Sequence, residues 1–137
     1  ALHEALLLIR EEGLENAWAR ATRHHLALKA GLEAMGMKML VKEQYQLPQM
    51  NAVICPEGVN EAEVRKRLLN EFGIEIGGGL GPLKGKVWRI GLMGESCTEA
   101  NVLTFLNALE EIFIRYGWLS TPGVALQAAA RIYSRAM

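Results

Sequence analysis

Several functional classes are excluded by what this sequence has little of. There are only two cysteines, Cys55 and Cys97, far apart and without a Cys-x-x-Cys partner, which fits ordinary thiols in a reducing compartment better than a disulfide scaffold. Charge of one sign is missing too. The 15 basic and 15 acidic residues cancel and no run of like charge stands out, so the electrostatic footprint of a nucleic-acid binder is absent. Half of the residues are apolar, yet Arg, Lys, Glu or Gly interrupts every stretch well before the roughly 20 residues of a membrane span. A soluble protein without nucleic-acid or membrane partners is expected. The opening Ala1-Leu2-His3-Glu4-Ala5 shows no basic segment followed by an apolar core, and the ending Arg135-Ala136-Met137 does not match the Ser-Lys-Leu address, so the cytoplasm is the expected location.

What is present, over 137 residues, suffices for one domain with a real core. Leu14, Trp18, Ala21, His25, Leu28, Leu32 and Met35 follow alternating steps of four and three, the stripe of a helix with one buried face ending at Gly36. Leu2 to Arg10 carries its own apolar pattern, and Gly13 predicts a break between the two helices. The chain starts inside this periodic pattern with neither Met nor a cap, which reads as a fragment of something longer.

Met37 to Val41 and Ala52 to Cys55 read as strands. Asn60 with Glu63 predicts the capped start of a helix that Gly73 stops. Ile74 to Ile76 is expected as a short strand, followed by a glycine loop and a strand over Val87 to Met93. Ser96 and Glu99 form a capping-box pattern for a helix ending near Tyr116, and Thr121-Pro122 predicts a last helix through Met137. Interleaved helices and short strands predict an α/β (α+β) domain, a small mixed or antiparallel sheet covered by helices on one face.

The strand over Val87 to Met93 carries the chemistry. A period of two puts Trp88, Ile90 and Leu92 on one face, the core, and Val87, Arg89, Gly91 and Met93 on the other. Gly91, next in line after Arg89, is expected to leave room beside the guanidinium, whose planar fork of donors suits a carboxylate or a phosphate. A strand arginine can equally face solvent or pair with a glutamate, and periodicity alone does not decide. The preceding loop fails both familiar phosphate patterns. Leu80 stands where a Walker loop ending at Gly85-Lys86 needs glycine, and Lys84 where a dinucleotide loop from Gly79 needs it. Its glycines are expected to supply positive φ to a flexible connection.

Other candidates carry less. His24 and His25 are adjacent on a helix and face different directions, so they do not make a joint metal site, and no metal is expected. Cys97 falls in the first turn of an expected helix, where the dipole could lower its pKa, but without a His partner in sequence it reads as structural.

The run Gly77-Gly78-Gly79-Leu80-Gly81-Pro82, with Gly85-Lys86-Val87-Trp88-Arg89-Ile90-Gly91-Leu92-Met93-Gly94, resembles the C-terminal part of class V aminotransferases of the alanine:glyoxylate and serine:pyruvate (serine:glyoxylate) group. The opening Ala5-Leu6 to Trp18, with Glu11-Glu12-Gly13-Leu14-Glu15-Asn16, resembles the long helical lead into the small domain of that family, and Ala30 to Gly36 the helix end that follows. The resemblance covers residues 1 to 116. It implies a helical lead-in over 1–13, the aminotransferase small domain over 14–116 and a C-terminal helix over 117–137. It further implies that Arg89 binds the α-carboxylate of an amino-acid or keto-acid substrate in a pyridoxal-phosphate enzyme moving an amino group from alanine or serine to glyoxylate or pyruvate. The partners implied are a large domain of the same enzyme and a second subunit in a homodimer.

In that family the cofactor lysine, its aspartate and the phosphate-binding groups precede this segment. None of Lys29, Lys38, Lys42, Lys84 or Lys86 sits in the matching motif, so no cofactor-binding residue is expected here and the segment alone is expected to be inactive. No cysteine lies between Pro56 and Arg89, against the cysteine desulfurase branch. The alternative reading is a non-catalytic α/β module that binds a small carboxylate or a partner protein.

Overall fold

The computed structural model describes residues 1–135. The chain runs α1 (Leu2–Glu12), α2 (Leu14–Ala34), β1 (Lys38–Met39), β2 (Met50–Ile54), α3 (Glu61–Phe72), β3 (Gly77–Gly78), β4 (Val87–Gly91), α4 (Glu99–Arg115) and α5 (Val124–Tyr133), with short 3-10 turns between. The four strands form one antiparallel sheet in the order β1-β2-β4-β3. Val53, Trp88 and Ile90 turn inward against Leu28 and Leu32 of α2, Val64 and Leu68 of α3, and Leu106 and Leu109 of α4. The other face of the sheet carries exposed side chains of Met50 and Ile54, and among the described residues no helix lies over it, in keeping with the period-two reading of β4. No helix among the described residues is long and apolar enough to cross a membrane.

The two N-terminal helices meet where expected. Gly13 joins them at φ 85°, ψ 134°, backbone that a side chain strongly disfavours. Its N–H still closes the last turn of α1 on the Ile9 carbonyl at 2.9 Å. The α2 stripe holds only from Ala21 onward. Leu14 and Trp18 are more than half exposed, and His24, off the stripe, is buried with His25.

The reason is α5, which lies along α2 and widens its buried face. Arg23 donates to the Tyr133 carbonyl at 2.8 Å, and His24 Nδ1 meets the Tyr133 hydroxyl at 2.9 Å. α1 has no buried residue. Of the apolar positions it presents, Leu2, Leu6, Leu8 and Ile9 are exposed, while Leu7 is half-buried.

The strands β1 and β4 are shorter than expected, β2 starts two residues earlier and ends one residue earlier, and three further boundaries differ for identifiable reasons. The strand expected over Ile74–Ile76 forms instead at Gly77–Gly78, because register pairing reaches β4 only there. α4 is capped by the Thr98 hydroxyl, which accepts from Asn101 N at 3.2 Å. Ser96 belongs to the 3-10 turn before it. α5 starts after Gly123 rather than at Thr121-Pro122, since the buried Glu110 carboxylate accepts the Val124 N–H at 2.9 Å and so caps the helix from outside. Of the helix expected through Met137, Ala136 and Met137 lie outside the described residues.

His24 makes stability depend on pH. Burial, then the Arg20 and Arg23 charges, hold its pKa below the usual imidazole value, against an opposing pull from Glu99. Below a pH of about 6.5 the unfolded chain therefore takes up a proton that the folded chain resists. This contribution is complete above that value and is lost as the pH falls toward the folded pKa. Urea midpoints measured from pH 7.5 to 5 should fall more steeply for the wild type than for His24→Gln. Parallel curves would contradict the assignment.

Candidate anion site on the open sheet face

Arg89 stands in the middle of β4, with Ala52 of β2 and Gly77 of β3 as its register partners. It is half-buried, while Trp88 and Ile90 on either side are buried and point into the core. Val87, expected on the open face, is also buried, paired in register with Ile54. The Arg89 Nε donates to the Gly78 carbonyl at 2.8 Å. Among the described residues no carboxylate lies within ion-pair distance of its guanidinium. With Nε occupied, the two Nη groups form the edge left for a ligand, and a carboxylate meeting that edge would do so end-on with two parallel hydrogen bonds.

Gly91 is not the glycine that clears this space. A side chain there would meet only the tip of Met93, whereas a Cβ on Gly77 would lie 3.2 Å from Arg89 Nη2 and 3.5 Å from its Cζ. The guanidinium leans across the ladder toward β3, not along its own strand, because the Gly78 carbonyl draws Nε that way. The glycines that follow serve close approach as well. A Cβ on Gly78 would stand 2.5 Å from Glu61 Oε1, and one on Gly79 2.1 Å from the Leu83 carbonyl oxygen. Positive φ belongs to Gly81 and Gly85 in this loop, and Gly77 to Gly79 do not have it. The loop therefore forms a packed strand edge and a 3-10 turn over Gly81–Leu83.

The other candidates resolve as packing groups. His25 Nδ1 lies 2.5 Å from Asn51 Oδ1, and Asn51 is fully buried. No group of three His, Cys, Asp or Glu side chains is placed to hold a metal among the described residues. Cys97 precedes the cap of α4 and lies outside its first turn. Burial pushes its thiol pKa up, which the neighbouring Arg20 offsets only in part. Cys55 is pushed up to about 11 by burial and by Glu61. Both shifts work against a thiolate near pH 7.

A cavity of about 290 Å³ adjoins the end of β4, but it opens on the helix-covered side among Leu28, Ile74, Ile76, Ile90 and Phe105. Arg89 does not line it. The arginine instead looks out from an uncovered sheet face, a site with one wall.

No protein-family model matches the chain. Over 136 residues it is 43% identical to an (S)-ureidoglycine–glyoxylate transaminase of Bacillus subtilis, spanning 99% of this chain and 33% of that protein. An alanine–glyoxylate aminotransferase of Callithrix jacchus is 42% identical over 112 residues, 81% of this chain and 27% of its own length. The crystal structure of the ureidoglycine–glyoxylate aminotransferase from Bacillus subtilis superposes with a TM-score of 0.93 at 42% identity, over 98% of this chain and 35% of that one. The chain belongs to the class V aminotransferases. It spans about a third of the length of the curated relatives it matches. The expected donors were alanine and serine. The name of the Bacillus relative carries a third, ureidoglycine, and both names carry glyoxylate.

Sequence reasoning singled out Arg89 but not the Gly78 carbonyl that its Nε meets, nor the Glu61 and Arg65 side chains beside Gly78. The available signal was Glu61 and Arg65 four apart on one helix, the spacing of an ion pair, but no local rule says that such a pair packs behind a glycine strand.

Proposed function

We propose that this chain is the C-terminal, substrate-carboxylate-binding domain of an aminotransferase that uses glyoxylate as amino acceptor. The observation that carries the reading is Arg89, fixed at Nε by the Gly78 carbonyl, without an acidic partner among the described residues, on an uncovered sheet face. A bidentate hold on an α-carboxylate leaves one rotational freedom to the bound molecule and sets the direction of its amino or keto carbon, a contribution of orientation rather than of bond making. Names of relatives that share glyoxylate support the acceptor. The donor depends on the missing wall of the site, with alanine, serine and a ureido-substituted glycine as the candidates.

The cofactor of such an enzyme, pyridoxal phosphate, supplies an electron sink for the carbon bearing the amino group. The residues described do not by themselves fit it. Lys29 is paired with Glu43 at 2.8 Å, and Lys38, Lys42, Lys66, Lys84 and Lys86 are exposed. None is an enclosed amine beside Arg89, as covalent capture of an aldehyde requires. The lysine is assigned to the remaining two-thirds of a longer protein, which would also cover the sheet face and the exposed apolar side of α1. A homodimer and a cytoplasmic location complete the proposal.

The test is borohydride trapping with pyridoxal phosphate on the 137-residue chain and on the full-length protein. Stoichiometric labelling is expected only in the full-length protein, at a lysine outside these residues. Stoichiometric labelling of one lysine within the chain would overturn the domain assignment.

A further inference from the structure

We propose that Glu61 and Arg65 of α3 are positioning residues for the Arg89 guanidinium, acting through the backbone of Gly78. This inference rests on the reading of Arg89 as the carboxylate-binding residue. β3 is only two residues long and both are glycine, so it has no side chains with which to fix itself against β4. Yet its Gly78 carbonyl is the only described partner of Arg89 Nε and so sets the plane of the fork.

The brace is the first turn of α3, which grips both strands next to Arg89. The Glu61 backbone carbonyl accepts Trp88 Nε1 at 3.2 Å, and Trp88 is both the neighbour of Arg89 in sequence and the register partner of Gly78. The Glu61 carboxylate lies directly behind Gly78, where a Cβ would come within 2.5 Å of Oε1 and 3.3 Å of Arg65 Nε and Cζ.

Arg65 holds that carboxylate with a two-pronged grip, Nε to Oε1 at 2.9 Å and Nη2 to Oε2 at 3.2 Å. The Glu61 side chain is 5% exposed. A bidentate pair fixes the plane of both groups, and here the buried Glu61 carboxylate, held by a half-buried Arg65, is the floor on which the Gly78 peptide rests. Glycine at 78 is therefore a fit to Glu61, and the pair transmits its geometry to Arg89 through one peptide group.

The experiment is steady-state kinetics on the full-length protein with glyoxylate and alanine, for Glu61→Gln and Arg65→Lys, each in the wild-type and Arg89→Lys backgrounds. Glutamine keeps the shape and the backbone carbonyl that serves Trp88, and lysine keeps the charge without the fork. Each substitution should lower kcat/KM about three- to tenfold in the wild-type background, the size of one impaired hydrogen bond, and mainly through KM. In the Arg89→Lys background, where no Nε remains to be oriented, the same substitutions should change it by less than about twofold.

A merely structural pair would lower the melting temperature and reduce activity equally in both backgrounds. That outcome, or no loss in the wild-type background, overturns the proposal. Should Glu61→Gln not fold, Arg65→Lys carries the same comparison. Failure of the underlying reading is separate: full activity of Arg89→Lys and Arg89→Ala would remove Arg89 itself from the site.

Discussion

Replacing Arg89 with alanine in the full-length protein is expected to lower kcat/KM for α-carboxylate substrates about tenfold to more than a hundredfold, the equivalent of about 1.5 to 3 kcal/mol for a lost charge-assisted contact. The loss should be shared by alanine, serine and glyoxylate, because it acts on the group they have in common. Arg89→Lys should recover part of it, since an ammonium supplies charge but cannot present two parallel donors. The domain should remain folded: Arg89 is half-buried and its described hydrogen bond is the one to Gly78. Kinetics on both variants beside a thermal melt check this. A folded Arg89→Ala protein with unchanged kcat/KM would reduce the arginine to a surface charge.

Trp88→Ala is expected to be the most destabilising single change near the site, at about 3 to 5 kcal/mol. Trp88 is fully buried, its ring lies against Phe113 with centroids 6.3 Å apart, and its Nε1 donates to the Glu61 carbonyl. Truncation opens a cavity in the middle of the core and removes the indole hydrogen bond to that carbonyl, which keeps its own helical partner. Trp88→Phe separates the two effects: it fills most of the space but gives up the indole hydrogen bond, for a loss of about 1 to 3 kcal/mol. Urea unfolding followed by circular dichroism reads both. A loss under about 1 kcal/mol for the alanine variant would mean that the Trp88 position is not the packed centre described.

The later part of α2 and both ends of α3 were legible because a buried stripe, a cap and a stop are announced within a few residues. The break at Gly13, the Asn60 cap, where the side chain accepts Glu63 N at 3.1 Å, and the stop at Gly73 all stand where local chemistry puts them. The period of two in β4 likewise separated Arg89 from Trp88 and Ile90.

What was not legible depends on contacts distant in sequence. His24 lies off the expected α2 stripe, and the Tyr133 side chain of α5 that covers it stands 109 residues later. α5 begins at Val124 because Glu110 caps it from another helix, a choice invisible to a reading of Thr121-Pro122. β3 has no strand-like composition at all. Two glycines become a strand because Arg89, Glu61 and Arg65 leave no room for anything larger, and the run was read as a loop for the same reason. The role given to Gly91 belongs to Gly77 because strand neighbours across a ladder are closer to a leaning side chain than neighbours along it. The amino donor is illegible on other grounds: the carboxylate that Arg89 is proposed to hold is what all donors share.

The most direct measurement is a crystal structure of the full-length protein with glyoxylate or a slow amino-acid analogue bound. The account predicts both carboxylate oxygens within hydrogen-bond distance of Arg89 Nη1 and Nη2, with Nε still on the Gly78 carbonyl and the Glu61–Arg65 pair intact behind it. A carboxylate held by other residues, with Arg89 turned to solvent or paired with an acidic side chain, would contradict it.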